Sequence, residues 1–237
     1  MHLPRRIQPE WLDVLPEDDL RSLRSRHDLR RLNGWMMQTG IMEQLLTRYS
    51  PDKEPRTILE LGAGDGTFML HLARRLASRW QGVRVILLDR QAIVSDETRE
   101  GFRRLGWQIE TITADVFEFL DRREELSVDI LTANLLLHHF TSEQVERLFA
   151  QAAVLAPLFV GCEPRRAMPG LICSRLLWVI RCNAVTRHDA AVSVRAGFAA
   201  TELSQLWPKG GQWQLHEHAA GLFTHCFVAH HVESWKR

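Results

Sequence analysis

The sequence carries no excess of either charge: 30 lysines and arginines face 29 aspartates and glutamates, a formal net charge of +1. It therefore lacks the bulk basic field by which nucleic-acid binders usually collect phosphates. It also lacks an apolar run of the ~18 residues that would cross a bilayer. The nearest, Leu171 to Val179, is interrupted by Arg175. The opening residues, MHLPRRIQPEWLD, contain no apolar segment of the kind a secretory leader needs. The cysteines Cys162, Cys173, Cys182 and Cys226 form no CxxC pair and no zinc-knuckle spacing. Thiols without a framework suit a reducing compartment, so a cytoplasmic location is expected. Internal repeats and low-complexity tracts are absent too. What remains is an ordinary globular composition, 45% hydrophobic and 25% charged over 237 residues. A chain of this length can bury a core large enough to stand without disulfides.

Residues 1–55 read as an N-terminal helical cap and 56–237 as the main domain. Within the cap, residues 18–48 are expected to form one or two helices. Leu29, Leu32 and Met36 lie on one helical stripe. Residues 21–31 hold five arginines and one acid. That acid, Asp28, sits four after Arg24 and three before Arg31, at ion-pair spacing. The proline-bearing SPDKEP, residues 50–55, reads as a linker.

From Arg56 strands and helices alternate. TILEL (57–61), VRVILLD (83–89), QIETITAD (108–115), VDILTANLLL (128–137) and LFVGCE (158–163) read as strands. Residues 66–79 and 94–105 carry helical spacing, and Thr141 to Gln144 is a capping-box pattern before another helix. Apolar strands separated by helices predict a parallel sheet covered on both faces. Residues 170–182 suggest a helix, 186–210 look less regular, and 213–220 with 222–232 predict a closing antiparallel hairpin.

The sharpest feature is ILELGAGDGTF, where Gly62, Gly64 and Gly66 follow a buried strand and open a helix. Glycine there permits positive φ and close approach of a ligand to the backbone. Asp89 ends the second strand, 23 residues past Gly66, where a carboxylate can accept from ribose hydroxyls. Asp115 ends the third, where one could accept from an exocyclic amine. All these groups fall on the carboxyl edge of the sheet, where open α/β sheets bind ligands.

This arrangement resembles the class I S-adenosylmethionine-dependent methyltransferases, whose acid-x-G-x-G-x-G pattern is met here by Glu60-Leu-Gly62-Ala63-Gly64-Asp-Gly66. The resemblance implies a Rossmann-like, mostly parallel seven-stranded sheet in the order 3-2-1-4-5-7-6. It implies S-adenosylmethionine as cofactor. Glu60 and the loop Gly62, Ala63, Gly64 and Gly66 would hold its methionine part. Asp89, with Arg90 beside it, would hold the ribose, and Asp115 with Val116 the adenine. Asn134 would stand by the sulfonium. A nicotinamide Rossmann domain is the rival, but its fingerprint is G-x-G-x-x-G, and here the third glycine comes one residue early.

His138 and His139 follow the fourth strand, in a stretch resembling that of quinone-type and other small-molecule methyltransferases. An imidazole suits a base at neutral pH, and His139 is the favoured one. The expected acceptor is a small molecule, with O-methylation favoured over C-methylation. Residues 163–200 hold six arginines and two acids, so Arg187, Arg195, Trp178 and His188 are candidate contacts for an aromatic or anionic acceptor. No metal is expected: His216 and His218, spaced as HxH, read as part of a solvated strand face, and His188-Asp189 as a loop feature. Nucleic acid is disfavoured, because Asn134-Leu-Leu-Leu lacks the proline and aromatic that base-amine methyltransferases carry there. The arginines of 21–31 keep RNA as an alternative, beside a carrier- or protein-bound acceptor and a non-catalytic protein of the same fold. The oligomeric state is not expressed in the sequence.

Overall fold

The computed structural model describes residues 3–16, 18–50, 54–122 and 126–232. Three helices come first: α1 (Trp11–Val14), α2 (Leu20–Trp35) and α3 (Gln38–Tyr49). Then β1 (Thr57–Leu61), α4 (Thr67–Leu76), β2 (Arg84–Asp89), α5 (Asp96–Arg104), β3 (Gln108–Thr113), α6 (Val116–Asp121) and β4 (Ile130–Asn134) alternate. A 3-10 turn (Leu137–His139), α7 (Ser142–Leu155), β5 (Leu158–Pro164), α8 (Met168–Leu176), α9 (Ala184–Ala196) and α10 (Glu202–Leu206) follow, and β6 (Trp213–Ala220) with β7 (Thr224–His231) closes the chain. The middle of the expected 50–55 linker lies outside the described residues.

The seven strands form one sheet in the order 3-2-1-4-5-7-6. Strands β1 to β5 are parallel, and β7 runs antiparallel to both β5 and β6. The expected order and hairpin are both present. Side chains alternate across the sheet with period two. Leu59 and Leu61 enter one buried layer with Phe149 of α7 and Phe227 of β7. Ile58 enters the other, with Leu72 of α4, Phe102 of α5 and Met42 and Leu46 of α3. Glu60 shares the Ile58 face by this alternation but stands near the strand end. The capping box of α7 is formed as its sequence predicts, the Thr141 hydroxyl accepting from Gln144 N–H and Gln144 Oε1 accepting from Thr141 N–H.

The segment read as less regular, 186–210, is corrected. It contains most of α9, a 13-residue helix capped by Asn183, and the short α10. Helix α9 carries buried polar groups among its apolar ones, which breaks the stripe a sequence reading looks for. Those groups tie it to α2: Ser25 and Thr186 hydroxyls are 3.0 Å apart, and Asn183 N–H donates to Asp28 at 2.9 Å. His188 and Asp189 are thus helical, not in a loop. The HxH face is largely solvated as expected, with Gln212, Gln214 and His218 exposed, but the half-buried His216 ring packs 4.6 Å from Tyr49 of α3 and stacks on His230.

Candidate active site

A cavity of about 830 Å³ lies at the carboxyl ends of β1, β2, β3 and β4, within the size range of small-molecule sites. Its floor is the loop between β1 and α4. Gly62, Gly64 and Gly66 all have positive φ, at 69°, 56° and 72°. Gly62 is needed for a second reason: a Cβ there would come 2.7 Å from Leu136 Cδ1. Around Gly64 a Cβ would meet nothing within 4 Å, so that stretch of backbone lies open to the cavity. Asp65 accepts from Thr67 N–H at 3.0 Å, and its other oxygen meets Arg30 of α2 at 2.8 Å.

Four acceptors converge on this floor. Glu60 is buried, and its Oε2 has no hydrogen-bond partner. Burial, with the charges of Asp89 and Asp65 nearby, pushes its carboxyl well above the ordinary carboxylate range. Asn134 Oδ1 is likewise buried and unpartnered. Asp89 accepts from Gly64 N–H at 2.8 Å and Gln91 N–H at 2.9 Å. Asp115 caps α6, accepting from Phe117 N–H at 2.8 Å. Ala63, Arg90 and Val116 line the same cavity. The sequence-derived cofactor set is therefore brought together, save that Gly66 turns toward Leu87 and Thr98 and shapes the loop from behind.

The tandem histidines separate. His139 lines the cavity, with its Nδ1 3.3 Å from Asp13 Oδ2. His138 is buried behind it. Its Nδ1 meets Glu163 Oε2 at 2.8 Å and its Nε2 is 3.4 Å from Glu10 Oε1. Burial alone would lower its pKa, but the bonds and charges of Glu10 and Glu163 more than offset this and raise it to about 9. His138 is then an imidazolium at neutral pH with neither nitrogen free. As a candidate base it is corrected to a structural cation. Glu163, at the end of β5, also accepts the N–H groups of Leu136, Leu137 and His138 and so holds the 3-10 turn. The donor atoms of Glu10, His138 and His139 lie within 4.8 Å of one another; with His138 protonated this cluster is a charged network.

The four candidate acceptor contacts do not line the cavity. Trp178 is 61% exposed and Arg187 is on the surface. The Arg195 carbonyl accepts from Arg6 N–H at 3.0 Å. His188 stacks on Trp11 with ring centroids 4.0 Å apart. The wall facing the glycine loop comes instead from residues 3–16, an N-terminal strap that contributes Ile7, Pro9, Leu12, Asp13 and Val14, and from Phe140 after the turn. Sequence reasoning missed Asp13 and Glu10. Two acids three residues apart in a short segment carry no motif, and their partners are far along the chain.

Residues 58–157 match a family model described as a methyltransferase domain. This segment is a methyltransferase domain. The expectation of an S-adenosylmethionine-dependent methyltransferase, drawn from the glycine loop, holds for it. Comparison with curated protein sequences finds no match. Among solved structures, the plantazolicin methyltransferase BpumL, determined in complex with SAH, is similar over 90% of this chain and 91% of its own, with a TM-score of 0.64 at 13% identity. The pyocyanin biosynthetic protein PhzM is similar over 94% of this chain and 61% of its own, TM-score 0.57, 17% identity. An O-methyltransferase family protein from Burkholderia thailandensis is similar over 92% and 64%, TM-score 0.56, 16% identity. At these identities the likeness is one of fold. Among the described residues no helix is long and apolar enough to cross a membrane.

Proposed function

We propose that the protein methylates a hydroxyl group of a small molecule, with S-adenosylmethionine as donor and His139 as base. The observation that carries this reading is the pair of buried, unpartnered acceptors, Glu60 Oε2 and Asn134 Oδ1, on the floor of a cavity whose other side holds an imidazole. Buried polar atoms without partners are costly, and here they face the space where a ligand's ammonium and polar hydrogens would lie. The backbone at Gly64 is open in the same place. Asp89 uses two backbone N–H groups but, as a carboxylate with about four lone-pair sites, can still accept from ribose hydroxyls. The residues present therefore fit the donor, with Asp115 and Val116 on the adenine side.

When bound, S-adenosylmethionine supplies an electrophilic methyl group on a sulfonium. Glu60 and Asn134 hold the methionine end, and the glycine loop lets it approach. Leu136 and Phe140 line the same cavity and would bound the space left for an acceptor beside the donor. His139 takes the acceptor's hydroxyl proton, the task that alignment alone leaves undone. The apolar strap residues Ile7, Pro9 and Leu12 favour an acceptor with an aromatic or aliphatic body. BpumL, which shares the fold, was solved with SAH, and PhzM is a biosynthetic protein for a small molecule.

An RNA acceptor is disfavoured by the fate of the arginines in 21–31. Arg30 pairs with Asp65, Arg31 with Asp28 and Arg21 with Asp19, so these charges are already partly neutralised. Calorimetric titration with S-adenosylhomocysteine tests the donor half: binding by wild type is expected, and absence of binding refutes the reading. Methyl transfer by His139→Ala tests the base: turnover should fall by ~10²-fold or more with donor affinity kept.

A further inference from the structure

Beside Glu163 of β5, the tandem histidines face two acids that do not come from the sheet. Glu10 and Asp13 stand three residues apart on the strap, a spacing that puts both on one side of a helical turn. Asp13 Oδ2 lies 3.3 Å from His139 Nδ1, and Glu10 Oε1 lies 3.4 Å from His138 Nε2. One turn of chain thus delivers one carboxylate to each imidazole. The turn is itself held from behind by α9. Asp189 accepts from Trp11 N–H at 2.9 Å and Leu12 N–H at 3.0 Å, and Ser193 donates to Glu10. Arg5 donates to Ala196 O at 2.7 Å and Phe140 O at 2.9 Å, joining strap, helix and turn. This is more fixing than a wall needs.

We infer that Asp13 is the positioning residue of His139, and that Glu10, by gripping His138, places the turn that carries it. The inference rests on the methyltransferase reading of the same cavity. A carboxylate at Nδ1 keeps the proton on that nitrogen and turns the Nε2 lone pair outward. In the step this prepares, the acceptor hydroxyl gives its proton to His139 Nε2. The oxygen lone pair forms the new O–C bond as the C–S bond breaks, and that electron pair goes to sulfur. His139 later loses the proton to water, and Asp13 never takes it. The charged groups facing His139 are Asp13 from the strap, Arg90 from the end of β2 at 3.7 Å from Asp13 Oδ1, and the His138 ring at 4.2 Å with Glu10 beyond it. Burial would raise the Asp13 carboxyl, but its contacts with His139 and Arg90 bring it below the ordinary value, so it stays an anion.

The test needs no identified acceptor. In the protein saturated with S-adenosylhomocysteine, nitrogen-15 NMR of the histidine side chains should show His139 as the Nδ1-protonated tautomer. Asp13→Asn should shift it to a tautomer mixture, Asp13→Glu should restore it, and His138 should be unmoved in both. Glu10→Gln should perturb both rings. Affinity for S-adenosylhomocysteine should stay within ~2-fold in the Asp13 variants, which also reports that they fold. With any acceptor that turns over, kcat should fall ~10–100-fold in Asp13→Asn at constant donor KM, the scale of lost orienting partners. An unchanged His139 tautomer in Asp13→Asn overturns the inference. So does a tenfold loss of donor affinity, which would place Asp13 on the donor side. Zinc titration that displaces the protons of both rings together, and fails in Glu10→Gln, also overturns it by making the cluster a cation site. Failure of the wild type to bind S-adenosylhomocysteine would instead strike the methyltransferase reading itself.

Discussion

The two walls of the cavity are built from different kinds of chain. One consists of strand ends between Glu60 and Asn134, whose places follow from the register of a parallel sheet. The other consists of residues 7–14 and the turn to Phe140, whose places follow from side chains: Asp189 on two backbone N–H groups, Ser193 on Glu10, His188 on the Trp11 ring. A sheet position moves only if its neighbours move. A side-chain clasp can be removed one residue at a time. Changes to the first wall should therefore act on donor affinity, and changes to the second on turnover or on the order of the strap.

The largest effect expected is on stability, through the clasp. His138 has a folded-state pKa raised to about 9 by Glu10 and Glu163, against burial. For a group raised on folding, the stabilisation is complete below the unfolded value of ~6.5 and is lost as pH climbs through the folded one. Up to about 3 kcal/mol should disappear between those limits. Thermal unfolding from pH 6 to 10 should show it, and Glu10→Gln should flatten the slope; an equally steep slope in that variant would separate the strap from His138.

Next comes His139→Ala, expected to slow transfer by ~10²-fold or more with donor affinity preserved. Equal wild-type and variant rates across pH 5–9 would leave the acceptor wall without a base. Asp89→Ala should reverse the pattern. Loss of charge-assisted bonds worth about 1.5–3 kcal/mol each should weaken S-adenosylhomocysteine at least tenfold in calorimetry, and unchanged affinity with the fold intact would remove Asp89 from the donor wall.

The smallest and most diagnostic effect belongs to Glu60. Its carboxyl is pushed up by burial and by Asp89 and Asp65, so the unfolded chain releases this proton more readily and the folded state is penalised once pH exceeds the ordinary glutamate value. Glu60→Gln should raise the melting temperature of the ligand-free protein, by a gain on the order of 1 kcal/mol, while weakening donor binding. A variant that gained stability and lost no affinity would show the acid to be an ordinary buried flaw.

The residues of the proposed donor wall could be picked out in advance because they lie at or just past the ends of apolar strand runs. They are Glu60, Asp89, Asp115 and Asn134. Those of the acceptor wall could not. Arg187, Arg195, Trp178 and His188 were singled out by composition, and an arginine-rich stretch does not say which way a helix faces. Helix α9 escaped notice because Thr186 and Asp189 are buried for hydrogen bonding, so its inner face does not read as apolar. Glu10 and Asp13 have nothing local to mark them. Even within HHF the sequence does not separate a buried imidazolium from a cavity-lining imidazole. The carboxylate that divides them, Glu163, lies 25 residues downstream.

The hydrogen bond from Trp11 N–H to Asp189 spans 178 residues. Closing so long a loop is entropically slow relative to the local strand pairings of the sheet. During synthesis the glycine loop and strands β1 to β4 are made while α9 is still absent, and the strap lacks its hold on α9 until the chain has passed Ser193. The nascent protein thus gains a place for a donor before it gains the geometry that spends one.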